Sequence, residues 1–265
     1  MLSVCATPIG NLDDVTLRVL AELRSADVVL AEDTRHTRGL LERHGIRATL
    51  LSYHEHNEAA RVAELVPRLA AGERIALVTD AGMPLVSDPG ARLVRAALDA
   101  GVPVTVLPGP SAVETALVAS GLGGGRYAFV GFLPRKRGEL EALWRETAGW
   151  GCVLVAFESP QRLPASLRSL AAFDGAREAA VCRELTKKFE EVARGTAAEL
   201  ADRFAEPPKG EITLVVSAGA VLLDVEGALA AVEELVAAGT PRRAAADVVA
   251  RLSGTARNSL YRGTL

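Results

Sequence analysis

The chain has 265 residues, of which 49% are hydrophobic and 24% are charged, a balance typical of a folded protein with one or two domains. Aromatic residues make up only 4%, so we expect an aliphatic core. The net charge of −3 argues against a uniformly basic protein that coats nucleic acid, although a local basic surface remains open.

Three cysteines, Cys5, Cys152 and Cys182, lie far apart and form no C-x-x-C pair. This sparse, odd number predicts small buried side chains in a reducing compartment. No apolar run approaches the roughly 18 residues of a membrane helix. The first residues, M-L-S-V-C-A, enter a strand directly and lack the basic segment of a signal peptide. We therefore expect a cytoplasmic protein.

Short strands rich in Val and Leu alternate with helices over the first 120 residues, which predicts a mainly parallel sheet with helices on both faces. Strands are predicted at residues 2–6, 27–32, 48–51, 74–79 and 102–107. Helices are predicted at 15–25, 37–43, 58–71, 90–100 and 111–119. A glycine cluster at 121–125 then breaks the pattern and is a candidate hinge or domain junction.

The second half contains neighbouring strands with no room for a helix between them, which predicts a mixed sheet with a hairpin turn at 185–190. Its strands are predicted at 128–132, 152–157, 178–185, 190–195 and 211–217, with helices at 139–147, 161–172 and 197–204. Three helical pieces follow after residue 226 and carry several arginines. The predicted domains are thus 1–120, 126–220 and a basic helical appendage at 225–265.

The run T-D-A-G-M-P-L-V-S-D-P-G, from Thr79 to Gly90, follows a strand and precedes a helix. Its prolines fix φ, its glycines accept unusual backbone angles, and its short acids can cap helices. A loop of this kind at the carboxyl end of a buried strand indicates a ligand site of an open α/β sheet.

Other polar motifs also follow predicted strands, and each one alone is compatible with a capped turn or a surface ion pair. In L-P-G-P-S-A (107–112), Ser111 and the first N–H groups of the next helix could hold a carboxylate. The remaining motifs are T-P-I-G-N-L-D-D (7–14), A-E-D-T-R-H-T (31–37), F-E-S-P-Q-R (157–162), R-E-L-T-K-K (183–188) and P-P-K-G-E (207–211).

Several familiar motifs are missing from the sequence: the phosphate loop G-x-x-x-x-G-K-[ST], a G-x-G-x-x-G after the first strand, and the nucleophile elbow G-x-S-x-G. H-E-H at 54–56 is not an H-E-x-x-H motif, and no cysteine or third histidine completes a ligand set with it. R-K-R at 135–137 is either a charged loop or a phosphate contact.

Taken in order, these motifs resemble those of the bacterial small-subunit ribosomal RNA (cytidine-2′-O)-methyltransferases, a family within the tetrapyrrole methylase superfamily. The resemblance covers residues 2–217 and extends more weakly into the C-terminal helices. It rests on T-P-I-G-N-L, A-E-D-T-R-H-T, D-A-G-x-P-L-x-x-D-P-G, P-G-P-S-A, G-F-L-P, F-E-S-x-x-R, R-E-L-T-K and K-G-E. The chain departs from the family at Met83, where Thr is usual, and at Pro160–Gln161, where T-H is common.

The resemblance implies two α/β domains with S-adenosylmethionine in the cleft between them, and a homodimer. It implies methyl transfer to the ribose 2′-oxygen of a cytidine in the decoding region of 16S rRNA in the small ribosomal subunit. The implied cofactor contacts are Pro8, Asp80, Ala81, Gly82, Ser87, Ser111, Ala112, Phe157, Lys209 and Gly210. In this setting Asp88 is expected to cap the next helix, and Asp80 to lie nearer the ligand.

A ribose hydroxyl is a poor nucleophile, so the enzyme must align it with the methyl group and help to remove its proton. The candidate bases or substrate-orienting acids are Asp33, Glu158 and Glu184, while Arg35 and Lys187 could hold the flanking phosphate. No metal is expected.

Three alternatives stay open. One is a small-molecule, tetrapyrrole-type methyltransferase of the same superfamily. Another is a metal-dependent phosphohydrolase that uses Asp80, Asp88 and Glu158. The third is a non-catalytic module that binds the ribosome.

Overall fold

The computed structural model describes residues 1–219, 225–253 and 255–265. Contacts divide the chain into two compact units. The first unit comprises Met1–Trp144 and Cys152–Ser217, and the C-terminal unit comprises Arg145–Gly151 and Ala218–Leu265. The three predicted domains, 1–120, 126–220 and 225–265, stay a prediction.

Five strands form the first sheet, in the order β3-β2-β4-β1-β5, and all their pairings are parallel. The strands are β1 (Leu2–Cys5), β2 (Val28–Ala31), β3 (Leu50–Ser52), β4 (Ile75–Leu77) and β5 (Val104–Leu107). The helices between them are α1 (Leu17–Ser25), α2 (Thr34–Arg43), α3 (Glu58–Ala70) and α4 (Ala91–Asp99). This arrangement confirms the predicted parallel sheet.

Both faces of the first sheet are covered by helices. Along β2, Val29 packs in one apolar cluster with residues of α1 and α2, whereas Leu30 packs in another with residues of α3 and α4. Because successive strand residues point to opposite faces, a strand covered on both sides is apolar throughout. The carboxyl ends of the strands therefore remain as the edge where polar loops gather.

The second sheet is mixed, in the order β6-β7-β10-β8-β9. Strands β6 (Tyr127–Phe132) and β7 (Val153–Glu158) are parallel, while β10 (Ile212–Val216) runs antiparallel to β7 and to β8 (Glu178–Arg183). Strand β9 (Glu191–Thr196) forms a hairpin with β8. The prediction of a mixed sheet with a hairpin is confirmed.

Helices cover the two faces of the second sheet differently. Helices α6 (Arg137–Ala148), α7 (Leu163–Phe173) and α8 (Ala197–Arg203) contribute to the larger core on one face. On the other face, α5 (Ala112–Ser120) contributes Val113 and Ala116 to a core that also contains Ile9. The loop after β1 and the helix after β5 thus pack on the second sheet.

The C-terminal unit contains α9 (Val225–Ala237), α10 (Arg242–Ser253) and α11 (Arg257–Gly263). Their apolar residues, including Val232, Ala246 and Leu260, form a core of their own. The predicted helical appendage of three pieces is present.

Two of the three cysteines, Cys5 and Cys182, are buried as expected, whereas Cys152 is partly exposed. Across the residues that the structure describes, no helix is both long and apolar enough to cross a membrane.

We expect Leu214→Ala to lower the free energy of unfolding by about 2–5 kcal/mol, because Leu214 is fully buried in the central strand β10 and its loss leaves a cavity. The control is Leu17→Ala, since Leu17 is 84% exposed and its loss should change stability by no more than about 0.5 kcal/mol. Chemical denaturation followed by circular dichroism measures both. Equal effects of the two changes would contradict this placement of the core.

Candidate functional site

The loop that follows β4 is joined to the loop that follows β1. The N–H of Thr7 donates to the carbonyl of Gly82 at 2.8 Å, and the N–H of Gly82 donates back to the carbonyl of Thr7 at 3.1 Å. The Thr7 hydroxyl also donates to the carbonyl of Thr79 at 3.0 Å. Because β1 and β4 are neighbours in the sheet, their loops meet at its carboxyl edge, which fixes the start of the Thr79–Gly90 run.

Unusual backbone angles are concentrated in two loops. Within the described part of the chain, the non-glycine residues with positive φ are Leu85 (73°), Ser87 (68°), Glu184 (53°) and Thr186 (64°). Such angles cost free energy and persist only where surrounding contacts enforce them, which is common at ligand sites. The loop after β4 and residues 184–186 of the turn between β8 and β9 are therefore candidate functional segments.

The first loop also lies close to the β8–β9 turn. A Cβ on Gly10 would lie 2.5 Å from Cγ of Lys187 and 2.8 Å from the carbonyl oxygen of Leu185. Only glycine allows this approach. Next to it, the N–H of Asn11 donates to the Thr186 hydroxyl at 3.0 Å. The loops of the two sheets are thereby held together.

A cavity of about 490 Å³ opens between these loops, within the size range of small-molecule and cofactor sites. It is bounded by elements of both sheets, all of them in the first unit. Its apolar walls include Ile9, Val86 and Phe157, and its polar walls carry several carboxylates.

Most of the predicted cofactor residues line this cavity. They are Asp80, Ala81, Gly82, Ser87, Ser111, Ala112, Phe157 and Gly210. Pro8 and Lys209 are not among the described residues that line it, although their neighbours Ile9 and Gly210 are. Their roles toward a cofactor stay predictions.

Among the predicted catalytic residues, Asp33 lies at the start of α2. Its Oδ1 accepts from the N–H of Arg35 at 2.8 Å, and its Oδ2 is 2.7 Å from the Arg35 guanidinium. Hydrogen bonds from Arg35 lower the pKa of Asp33. The N–H of Asp33 donates to Oδ1 of Asp80 at 3.0 Å. Because Asp33 and Arg35 bind each other outside the described lining, the geometry favours helix capping and the positioning of Asp80.

Glu184 and Lys187 stabilise the β8–β9 turn. The Lys187 ammonium lies 2.9 Å from Oε1 of Glu184 and 2.8 Å from Oε2 of Glu211. The same oxygen of Glu184 accepts from the N–H of Glu211 at 3.0 Å, and the bond from Lys187 lowers the pKa of Glu184. Glu211 lines the cavity, whereas Glu184 and Lys187 are not among its described lining residues.

Glu158 lines the cavity, but its buried carboxylate is occupied by neighbours. Oε1 lies 2.5 Å from the Arg162 guanidinium and accepts from the N–H of Ser159 at 2.7 Å. Oε2 accepts from the Ser166 hydroxyl at 2.5 Å. These contacts join the end of β7 to the first turns of α7, so Glu158 holds the cavity wall in place.

A second group of carboxylates, Glu32, Asp80 and Asp88, lines the cavity. Burial and the charge of Glu32 raise the pKa of Asp88 to about 7, with a smaller contribution from Asp80. Burial and the charge of Asp80 raise the pKa of Glu32. Like charges in a partly buried wall destabilise one another unless a cation joins them.

The expectation that Asp88 caps the next helix is wrong. The N-cap of α4 is Gly90, which has a φ of 131° and no side chain to form a capping bond. Asp88 lies instead with Glu32 and Asp80. Sequence analysis did not select Glu32 as a site residue, although its place directly after β2 marked it as a candidate.

The residues present fit S-adenosylmethionine, which is cationic at sulfur and carries an amino-acid end and an adenine. The three carboxylates complement positive charge, and the apolar walls suit a flat ring. At the N-terminus of α5, Ser111 is the N-cap and lines the cavity with Ala112 and Val113, which suits an anionic group. Over the described ranges, no group of three or more His, Cys, Asp or Glu side chains is arranged to hold a metal ion.

Known proteins are similar to this chain over most of its length. The sequence model of the Tetrapyrrole (Corrin/Porphyrin) Methylases family matches residues 1–201. The chain is 46% identical to the "Ribosomal RNA small subunit methyltransferase I" of Mesorhizobium japonicum, over 100% of this chain and 91% of that relative. It is 44% identical to the protein of the same name from Micromonospora olivasterospora, over 98% of this chain and 85% of that relative.

Solved structures share the fold. Uroporphyrin-III-C-methyltransferase from Thermus thermophilus superposes with a TM-score of 0.57 at 23% identity, over 82% of this chain and 93% of that chain. Diphthine synthase superposes with a TM-score of 0.62 at 19% identity, over 82% and 89%. These similarities confirm the predicted fold class.

We expect Asp88→Asn to stabilise the ligand-free protein at pH 8 and to have almost no effect at pH 4. The folded carboxyl has a pKa of about 7, whereas an unfolded Asp titrates near pH 3.9. Between these values the unfolded chain loses its proton first, so wild-type stability falls as pH rises and levels off above pH 7. With allowance for solvent screening, the gain at pH 8 is about 1–2 kcal/mol.

Thermal and chemical denaturation at pH 4, 6 and 8 measure this dependence. The control is Asp99→Asn, because Asp99 is an exposed residue of α4 paired with Arg95 and is not among the described lining residues. A gain from Asp88→Asn that grew as pH fell would show that the ionised carboxylate is not destabilised in the folded state.

Proposed function

The chain belongs to the tetrapyrrole methylase family, and on that premise we propose that it transfers a methyl group from S-adenosylmethionine to small-subunit ribosomal RNA. The acceptor in this proposal is the ribose 2′-oxygen of a cytidine in the decoding region. The family membership and methyltransferase class predicted from the sequence are confirmed. The observation that supports this substrate is the similarity, over nearly the whole chain, to proteins named for small-subunit ribosomal RNA.

S-adenosylmethionine supplies a methyl group that is activated by a positively charged sulfur. Glu32, Asp80 and Asp88 offset that charge from the cavity wall. Ser111 and the N-terminus of α5 receive the carboxylate end. Phe157, together with the apolar side chains of Ile9 and Val86, binds the flat ring. These assignments give each part of the cavity a distinct binding task.

The three acids predicted as bases each bind a basic side chain. Asp33 pairs with Arg35, Glu184 with Lys187 and Glu158 with Arg162. A carboxylate held by such charge-assisted contacts supports the groups around it. We therefore assign these residues to positioning, and assign most of the acceleration to alignment of the acceptor hydroxyl.

The homodimer and the cytoplasmic location are also part of the proposal. Exposed apolar side chains on the first unit, such as Val106 of β5 and Val118 of α5, offer a surface for a second copy. A ribosomal substrate supports the cytoplasmic location. Size-exclusion chromatography with light scattering tests the dimer.

We expect the purified protein to bind S-adenosylmethionine and to transfer one labelled methyl group to each unmodified small subunit, on a cytidine ribose. Calorimetry measures binding, and nuclease digestion with mass spectrometry maps the modified nucleotide. Methylation of a tetrapyrrole instead would favour the small-molecule alternative. RNA binding without methyl transfer would favour a ribosome-binding module. Metal-dependent phosphate release without cofactor binding would favour a phosphohydrolase.

The C-terminal unit offers basic side chains for RNA. Arg257 pairs with Asp247 at 2.5 Å, whereas exposed Arg251 and Arg262 form no ion pair with any residue the structure describes. We expect the double variant Arg251→Glu with Arg262→Glu to have a higher KM for small subunits. The slope of log binding constant against log salt concentration should become shallower by roughly one to two, because one or two phosphate contacts are lost.

Cofactor affinity should not change in this double variant. Arg18→Glu with Arg95→Glu makes the same change of net charge on exposed residues of α1 and α4 and serves as the control. If both pairs weakened subunit binding equally, the effect would belong to net charge and not to the C-terminal unit.

A further inference from the structure

Phe132, the last residue of β6, lines the cavity and yet is 58% exposed. Burial of a large aromatic side chain is energetically favourable, so the exposure of Phe132 on the wall of a site requires a reason. The functions assigned above do not use it.

An irregularity in β6 places Phe132 at this position. In the pairing with β7, Phe129 lies opposite Val155 and Phe132 lies opposite Phe157. Three steps along β6 therefore match two steps along β7, which defines a bulge, and Gly131 within it has a φ of 69°. Strict alternation would place Phe132 on the opposite face from Phe129. The extra residue places both on the same face.

The three aromatic rings form a row that leads to the exposed position. The ring centroids of Phe129 and Phe157 are 4.9 Å apart with an interplanar angle of 65°. Those of Phe157 and Phe132 are 5.6 Å apart with an angle of 63°. Edge-to-face contacts of this kind fix ring orientation. Phe132 is thus a supported ring with open area, which limits the ordering cost of binding a flat partner.

Free positive charge follows directly after the ring. Lys136 and Arg137 pair with Glu139 and Glu141 at 2.9 and 2.6 Å. Arg135 is exposed and makes no hydrogen bond or ion pair with any described residue. Three residues of chain span at most about 10–11 Å, so Phe132 and Arg135 are close enough to contact the same stretch of a nucleic-acid strand. A ring beside a free guanidinium is the usual means of holding a base and its phosphate in single-stranded nucleic acid.

We propose that Phe132 stacks on the base of the acceptor nucleotide and that Arg135 binds a phosphate of the same strand. The inference rests on the proposed function, because it takes RNA as the acceptor. Stacking of this kind requires an unpaired base, since the ring cannot reach a base inside a duplex. The base is held at the mouth of the cavity, and its ribose is thereby directed inward.

The test compares Phe132→Leu with Phe132→Tyr and Phe132→Trp in the full-length protein. Loss of one stacking contact should raise the KM for small subunits roughly 5- to 150-fold while kcat changes little, because the contact is equal in the ground and transition states. The Tyr and Trp variants should retain the wild-type KM within about threefold, since they retain a stacking face. Calorimetry should give an unchanged Kd for S-adenosylmethionine in all three.

The matched control is Phe189→Leu, because Phe189 is 66% exposed but is not among the described lining residues. It should leave the subunit KM within about twofold. Thermal denaturation confirms that each variant is folded.

Four results would overturn the assignment. They are an unchanged subunit KM in Phe132→Leu, an equal rise in Phe189→Leu, a parallel rise in the Kd for S-adenosylmethionine, and a change of oligomeric state in Phe132→Leu. A wild-type protein that binds S-adenosylmethionine but methylates no small subunit would instead refute the proposed function itself.

Discussion

The close approach of Gly10 to the turn between β8 and β9 is the constraint on which the site depends. A side chain at Gly10 would collide with the backbone carbonyl of Leu185, so the two loops can meet only because that side chain is missing. The Thr7–Gly82 pairing then links the same loop to the run after β4. One short loop therefore contacts two segments that border the cavity. Each of these segments contains a residue with a positive φ, Ser87 in the run after β4 and Glu184 in the turn between β8 and β9.

The carboxylates in and around the site form two groups that differ in their partners. The carboxylates of Asp33, Glu158 and Glu184 form ion pairs with basic neighbours and stabilise the structure around the site. Glu32 and Asp88 instead have raised pKa values, because burial and the charges of neighbouring carboxylates disfavour their ionised forms. A partly buried cavity wall that holds several carboxylates together is suited to a positively charged ligand.

Much of the fold followed from local patterns in the sequence. Apolar strands such as β2, buried on both faces, predicted a parallel sheet, and the short span between β8 and β9 left room only for a hairpin. The rule that ligands bind at the carboxyl ends of strands led to Asp80 and Ser111, both of which line the cavity. The glycine cluster at 121–125 as a hinge, and the domain limits, stay predictions.

The sequence by itself determined the fold class, the family and the loops that form the site, because these depend on periodicity and on short motifs. The tertiary structure decided which carboxylates face the cavity: Asp88 joins Glu32 and Asp80, while Gly90 takes the helix cap. It also decided the position of Phe132, because a bulge changes the face of a strand without a clear signal in the sequence. Burial, charge coupling and strand register arise from contacts between distant segments, so local patterns could not reveal them.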